Sequence, residues 1–471
     1  MRENHTSRLA AGFAAVTAWT RRRHRRKTLV TLGASTALVL GTIIAAPGVA
    51  FAAGSAPCDI YAAAGTPCTA AHSTVRALYS SYNGSLYQVK RASDGATSNI
   101  GLLAAGGYAN SAAQDVFCAD TSCIITEIYD QSPNHNNLTV EGAGGAGSAD
   151  VAADATALPV IVGGHRVYGL YVGPGVGYRD NSTTGIATGG QPEGTYMVTS
   201  GIHVNAGCCF DYGNAETNTR DNGNGHMSAL NFGTNCFFAP CSGSGPWVAA
   251  DLENGLYMGS GSNTNDPSIN DPFVTAEFKT NGTSTFELRG GNAQSGSLNT
   301  DYSGSLPPNG YTPLSQEGAI VLGTGGDNSK SSLGSFFEGV MTTSEPSDAA
   351  DNSVQANIVA AGYSGNSAGE VGGTITGPGG TCVDVSGDDS GGDATTVDIW
   401  GCQSYAVDQH WVHNADNSLT TLGRCLDIDG DGTAVGTKVE LWDCNGVGGQ
   451  KWIQQSNGSL LNPQSGLCLD S

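Results

Sequence analysis

The chain has 471 residues, 69 of them glycine, with 42 acidic against 20 basic side chains and a formal net charge of -22. That balance excludes nucleic acid and anionic membrane surfaces as partners, since both call for basic surface. It suits a protein acting on a neutral substrate, and the length points to two domains.

Residues 1–53 read as a secretory leader: a basic stretch "RRRHRRKTLV", an apolar run, and a small-residue cleavage site in "AFAAG". A membrane anchor is the alternative, because the apolar run approaches spanning length. The Pro47-Gly48 break favours cleavage and a secreted, extracellular product. Removing the leader takes away far more basic than acidic residues, so the exported chain is more acidic still.

Beyond the leader, short apolar runs such as "CIITEIYD", "GTYMVTSG", "FVTAEF" and "GAIVLG" are bounded by Gly, Pro or Asn, the pattern of an all-β architecture. One helix is predicted within "AAHSTVRALYSSY" (70–82). Another is predicted in "SDAADNSVQANIVAAGY" (347–363), capped by Ser347 or Asp348 and ended by Gly362. The Gly/Ser-rich stretch 365–374 reads as a linker. It separates a domain over 54–364 from one over 375–471.

Thirteen cysteines in an exported chain imply disulfides. Short spacings pair Cys58 with Cys68, Cys118 with Cys123, Cys236 with Cys241, Cys382 with Cys402 and Cys425 with Cys444. Cys208, Cys209 and Cys468 are left over. Neighbouring Cα atoms lie only ~2.9–3.8 Å apart, whereas disulfides ordinarily span ~4.4–6.8 Å. Cys208 and Cys209 therefore either close a strained eight-membered ring or each pair elsewhere, and sequence leaves connectivity open.

The C-terminal part repeats itself. "CVDVSGDD" returns as "CLDIDGDG" and then "CLDS", "VDIWGC" as "VELWDC", and "DQHW" as "GQKW". A period of about 40 residues marks stacked or radial units. The repeats resemble the ricin-type β-trefoil, carbohydrate-binding module family 13, with its Q-x-W signature. The third repeat stops at Ser471, ~30 residues short of the period, so an incomplete trefoil is expected. The resemblance implies sugar contacts at Asp384 with Trp400 and at Asp427 with Trp442, and core roles for Trp411 and Trp452. Asp398 and Glu440 stand where some ricin-type sites carry glutamine.

Metal and serine chemistry find little support. "DIDGDGTAVGTK" (427–438) opens like a calcium loop but ends in Lys438 where glutamate is required, so a polar turn is expected. The histidines lack ligand spacing, and His72 and His226 read as hydrogen-bonded structural groups. No metal or cofactor is expected. Carboxylates remain, and glycosidic cleavage needs two of them. Asp251 and Glu253, two apart at the end of an apolar run, would share one strand face, where mutual repulsion separates their proton affinities. Asp327 follows the apolar "AIVLG" in a glycine-rich loop that lets backbone approach a ligand.

Residues from about Cys58 to Tyr363 closely resemble the catalytic domain of glycoside hydrolase family 54, the α-L-arabinofuranosidase B type. The likeness runs through "PCDIYAAAGTPC", "HSTVRALYSSYNGSLYQVKRASDG", "IYDQSPNHNNLT", "GCCFDYGNAETNTRDNGNGHM", "PWVAADLENGL", "GGDNS" and "FFEGVMTTSEPSDAADNSVQANIVAA". It implies a jelly-roll-like β-sandwich and retaining, exo-acting release of terminal arabinofuranose. Glu253 matches the family's nucleophile and Asp327 its acid/base. Asp251, Asn254 and Gly326 match its sugar pocket. It also implies a disulfide between Cys208 and Cys209, whose soft apolar sulfurs would face the sugar. Phe238 stands where the family carries tryptophan, beside the inserted Cys236/Cys241 pair, and is expected to be a weaker stacking platform in a small closed loop.

The expectation is therefore an all-β protein: a catalytic β-sandwich followed by an incomplete β-trefoil. It would be a secreted monomer that trims arabinofuranosyl side chains from plant cell-wall polysaccharide (arabinoxylan or arabinan). The alternatives are a non-catalytic lectin or adhesin, or a xylosidase on the same scaffold.

Overall fold

The computed structural model describes residues 55–471 except 119–120, 369–372, 378, 387–392, 403–406, 414–416, 422–423, 456 and 471. The leader assigned to 1–53 lies outside the described residues. Among the described residues no helix is long and apolar enough to cross a membrane.

Two large antiparallel sheets make the sandwich of the first domain, and a small third sheet joins Tyr363–Ser364, Pro159–Val162 and His165–Tyr168. One has the order Cys68–Ser73, Gly334–Thr342, Glu193–Thr199, Val274–Thr280, Thr285–Asn292, Asn299–Ser305, with Leu170–Val172 also on Gly334–Thr342. The other has ten strands, from Leu256–Tyr257 through Trp247–Asp251, Ser228–Gly233, Asp211–Ala215, Ala319–Leu322, Tyr178–Asp180, Leu138–Val140, Cys123–Ile128 and Tyr87–Arg91 to Thr97–Ile100. Alternate residues of each strand point into the space between the sheets. There Tyr212 of the ten-stranded sheet meets Phe336 of the other at 5.2 Å between ring centroids. Tyr212 also bonds the buried His72, whose second ring nitrogen lies 2.8 Å from the Asn136 carbonyl.

The helix Asp348–Ala361 matches its sequence signals, with the Ser347 side chain accepting from the Ala350 N–H and Gly362 closing it at φ 69°. It supplies Asp351 to the Lys279 ammonium at 2.9 Å. Beside this lies a second buried ion pair, in which Arg76 grips Glu338 through two nitrogens. Tyr196 and Tyr363 also donate to Glu338.

The helix expected over 70–82 is not formed. Its first residues belong to the strand Cys68–Ser73, every one of them buried. Pairing of Ala70–Ser73 with the central strand Gly334–Thr342 outweighs the weak local preference of alanines for helix. A short helix instead precedes it at Pro57–Ala63, with proline in its first turn.

In the C-terminal domain the two complete repeats use the Q-x-W motif identically. Trp411 donates its indole N–H to the Val383 carbonyl at 3.0 Å, and Trp452 to Leu426 at 2.9 Å. Gln409 donates to Asp384 at 2.8 Å and Gln450 to Asp427 at 3.0 Å. Both tryptophans are buried among Val385, Leu426, Ile428 and Leu441. Asp429–Asp431 is a short 3-10 turn, and Asp431 accepts from the Gly449 N–H at 2.6 Å. The third repeat contributes Leu460–Asn462 and Leu467–Cys468, and Cys468 is an exposed free thiol. Disulfides join 58–68, 118–123, 208–209, 236–241, 382–402 and 425–444.

Candidate active site

Three segments distant in sequence meet at one end of the ten-stranded sheet. The first carries the paired cysteines. Cys209 N–H donates to the Ser329 carbonyl at 3.1 Å, and Ser331 N–H to the Cys208 carbonyl at 2.9 Å. These bonds tie the cysteines to the loop that holds Asp327. Gly207 and Gly325 make the approach possible. A Cβ on Gly207 would lie 2.1 Å from the Ser331 carbonyl, and one on Gly325 would already touch Cys209 Sγ at 3.5 Å.

The second segment is the strand Trp247–Asp251 with its neighbour Asp211–Ala215. The sulfurs of Cys208 and Cys209 and a carboxylate oxygen of Asp251 lie within 4.8 Å of one another. Being bonded to each other, those sulfurs are not thiolate ligands. Asp251 lies against Asp211, which accepts from Asn231 Nδ2 at 2.6 Å. Burial pushes the Asp211 carboxyl up to about 7 despite that hydrogen bond. Burial and then the Asp211 charge hold Asp251 well above the carboxylate range.

Glu253 departs from the expectation that it shares a strand face with Asp251. The strand ends at Asp251, and Glu253 turns out of it with φ 80°, a conformation non-glycine residues rarely adopt and one concentrated at functional sites. Its N–H donates back to Asp251 Oδ1 at 2.9 Å. Its Oε1 accepts from two consecutive backbone groups, Asn222 N–H and Gly223 N–H. Its Oε2 is buried with no hydrogen-bond partner. Burial, reinforced by Glu216, pushes the Glu253 carboxyl up to about 8. Burial likewise raises Glu216 to about 7. The two carboxyls lie side by side, and each perturbs the other's proton affinity.

Asp327, the third contribution, is oriented by Ser329, whose N–H (3.0 Å) and Oγ (2.7 Å) both donate to Oδ1. Its charge raises the pKa of Asp211, Asp251 and Glu141. Asp327 therefore belongs to the same electrostatic cluster. Gly326 beside it has no room for a side chain, because a Cβ would fall 1.8 Å from Glu216 Oε2. Arg179 is the cation at the base of the cluster. It binds Glu141 at 3.0 Å and the Gly326 carbonyl at 2.7 Å, and it also donates to the Glu216 carbonyl.

The rim holds the remaining expected residues. Asn254 is exposed, and its carbonyl accepts from the Tyr311 hydroxyl at 3.3 Å. The Phe238 ring packs on Tyr257 at 4.6 Å and against Gly255. Phe237 is the more open of the two aromatics, 53% exposed. The Cys236–Cys241 bond closes this loop and packs into one cluster with Trp247, Leu256, Met258 and the Cys208–Cys209 pair. In the C-terminal domain Trp400 is 61% and Trp442 36% exposed. Each lies on the strand face of its aspartate, through the pairings Asp384↔Asp398 and Asp427↔Glu440.

Sequence reasoning missed Asp211, Glu216 and Arg179. Asp211 carried one signal, its place two residues after the double cysteine at the head of a strand. Glu216 and Arg179 carried none, since their roles arise from contacts across the fold.

A β-sandwich holding buried, mutually perturbing carboxyls in one site has the machinery of a glycoside hydrolase. The family described as "Alpha-L-arabinofuranosidase B, catalytic" matches residues 57–364, and "Ricin-type beta-trefoil lectin domain" matches 371–471. The chain belongs to the arabinofuranosidase B family of glycoside hydrolases and carries a C-terminal ricin-type β-trefoil domain. It is 55% identical over 336 residues to α-L-arabinofuranosidase B of Emericella nidulans, covering 69% of this chain and 64% of that protein. It is 55% identical over 337 residues to an arabinofuranosidase/β-xylosidase of Trichoderma koningii, covering 70% and 67% respectively. The chain thus spans about two thirds of the length of these relatives. Among solved structures, an arabinofuranosidase complexed with arabinofuranosyl-α-1,2-xylobiose is 40% identical, covers 87% of this chain and 91% of its own, and superposes with a TM-score of 0.66.

Proposed function

We propose that this chain is a secreted, exo-acting, retaining α-L-arabinofuranosidase that removes terminal arabinofuranosyl units from arabinoxylan or arabinan, aided by glycan binding at its trefoil. Glu253 attacks the anomeric carbon while Asp327 protonates the departing oxygen. A covalent arabinosyl-enzyme forms, Asp327 then deprotonates a water, and arabinose leaves with retained configuration. The reading predicts a carboxyl separation of ~5–5.5 Å.

The observation that carries it is the setting of Glu253, which is turned out of the strand with one oxygen anchored by two backbone N–H groups. Such donors hold a carboxylate in one orientation and favour its ionised form. In its ionised form, held by those donors, Glu253 is the nucleophile. The sulfurs beside Asp251 offer an apolar face to the furanose, and the site's acidic character suits a neutral sugar with hydroxyl donors.

Two observations keep a second activity in view. The Trichoderma relative is named for both arabinofuranosidase and β-xylosidase, and the Phe238 loop at the rim is closed by its own disulfide, Cys236–Cys241. Hydrolysis of 4-nitrophenyl α-L-arabinofuranoside and 4-nitrophenyl β-D-xyloside, with arabinoxylan and arabinan as polymers, separates these readings. Glu253→Gln is expected to lower kcat by at least ~10³-fold with the fold intact. Unchanged turnover would remove Glu253 from the role, and no release from any substrate would favour the lectin reading.

A further inference from the structure

At the opposite end of the ten-stranded sheet lies a cavity of about 240 Å³ lined by Tyr82, Asn99, Tyr129, His135 and Asn137, with the buried Asp130 at its floor. We propose that this cavity is a second carbohydrate site, binding an uncharged sugar of the polysaccharide chain whose side groups the catalytic site removes. The choice of polysaccharide rests on the function proposed above; the site itself does not.

The chemistry of the lining selects the ligand class. Two aromatic rings offer flat apolar faces, and two carboxamides and an imidazole offer donors and acceptors at their edges, the combination that suits a sugar ring. No Lys or Arg lines the cavity, which argues against phosphate or carboxylate ligands. Asp130 does not compete for the ligand as a free anion. Its two oxygens already accept from Ala71, Ser132 and Asn136.

The polar edges are pre-positioned but not used up. Tyr129 donates its hydroxyl to Asn99 Oδ1 at 3.0 Å, and Gln88 Nε2 donates to the same oxygen at 3.0 Å. That fixes the Asn99 amide with its nitrogen uncommitted. Asn137 is held through both ends, by the Asp130 N–H at 3.0 Å and Glu127 at 2.9 Å. His135 is exposed, with no ring hydrogen bond among the described contacts, and its backbone is left-handed at φ 56°. Tyr82 lies along the backbone at Gly84, where a Cβ would meet its hydroxyl at 2.5 Å. The Tyr82 hydroxyl donates to the Ser85 carbonyl at 2.6 Å, so both phenols are held in place and offer the ligand their ring faces and hydroxyl lone pairs.

Strand register places this cavity on the catalytic side of the sandwich. Directly paired residues of antiparallel strands share a face. Asp251 faces Ala229, Ala229 faces Gly213, Gly213 faces Val321, and Val321 faces Arg179. Arg179 faces Thr139, Thr139 faces Glu127, Glu127 faces Gln88, and Gln88 faces Asn99. The row crosses eight strand spacings, roughly 38 Å at ~4.8 Å each. A polysaccharide held at Asn99 therefore lies on the same sheet face as the carboxyls that cleave its branches.

The test is calorimetric titration of the full chain with xylohexaose and, in parallel, linear arabinohexaose. The trefoil is silenced by Trp400→Ala and Trp442→Ala, and hydrolysis of the arabinohexaose by Glu253→Gln, so that neither contributes to the heat; this triple variant is the parent. Residual binding of either oligosaccharide is expected, weakened roughly tenfold by Asn99→Ala and by Tyr129→Ala, the size of one lost hydrogen bond or ring contact. Tyr129→Phe, which keeps the ring, is expected to weaken binding less than Tyr129→Ala. No residual binding in the parent, or affinities equal across all the variants, would overturn the proposal. Because the readout is binding, it stands apart from hydrolysis: a chain that fails to release arabinose but still binds here defeats the proposed function and not this site.

Discussion

Glu253 and Gly326 show how single residues set the chemistry. Glu253 accepts an unfavourable backbone conformation, and its carboxylate is anchored by two backbone N–H groups with Glu216 alongside it. Gly326 is required because the Glu216 carboxylate occupies the space of any side chain there. Gly326→Ala is expected to push Glu216 and the Asp327 loop apart and lower kcat about 10²-fold, as ångström-scale misplacement does. Steady-state kinetics on the nitrophenyl arabinofuranoside, read beside Tm, checks this, and wild-type kcat would refute the packing argument. Cys208→Ala removes the apolar sulfur face and is expected to raise KM more than it lowers kcat. Of these residues, Glu253, Asp327 and the double cysteine stood out in the sequence through their motifs. Glu216 did not, because an ordinary glutamate at a strand end acquires its role only when a loop from position 326 lands on it.

At the scale of elements, the sandwich depends on buried charge as well as on apolar packing. Glu338 on the central strand Gly334–Thr342 is fully buried and answered by Arg76, Tyr196 and Tyr363. Arg76→Ala would strand that carboxylate and is expected to cost about 3–5 kcal/mol, measurable by denaturant unfolding. The helix Asp348–Ala361 was legible because its caps are local chemistry. The misread segment 70–82 was not, because its strand state depends on a partner more than 260 residues away, at Glu338–Thr342. In the trefoil, Trp411→Ala removes a buried indole and its bond to Val383, so unfolding of that domain at lower temperature is expected. Trp400→Ala, on an exposed indole, is expected to reduce glycan binding with little change in Tm.

Across the whole molecule, stability should follow the acidic interior. Burial raises Glu253, Glu141 and Asp266 to about 8, and Asp211, Glu216, Glu193 and Asp301 to about 7. Groups raised above their unfolded values near 4 bind protons more tightly in the folded state. Their contribution is fully present below about pH 4 and is lost as pH rises through 7 to 8. The buried His203, lowered to about 4, opposes this on the acid side. Tm is therefore expected to rise as pH falls from 8 to 5, and Glu253→Gln to raise Tm at pH 8 by removing one such group. Calorimetry across that range checks both, and a Tm that climbs toward pH 8 would contradict them.

The sequence by itself determined the all-β class, the Q-x-W repeats and the capped helix, and it singled out Glu253 and Asp327 as the candidate reactive side chains. Each of these rests on spacing or on side-chain chemistry within a short stretch. Tertiary structure decided which carboxyls are neighbours, which of them perturb one another's proton affinity, and how the cysteine pair sits against Asp251. Those properties come from burial and from the meeting of segments near 209, 251 and 327, and proton affinity in a low-dielectric interior depends on whatever the fold sets alongside.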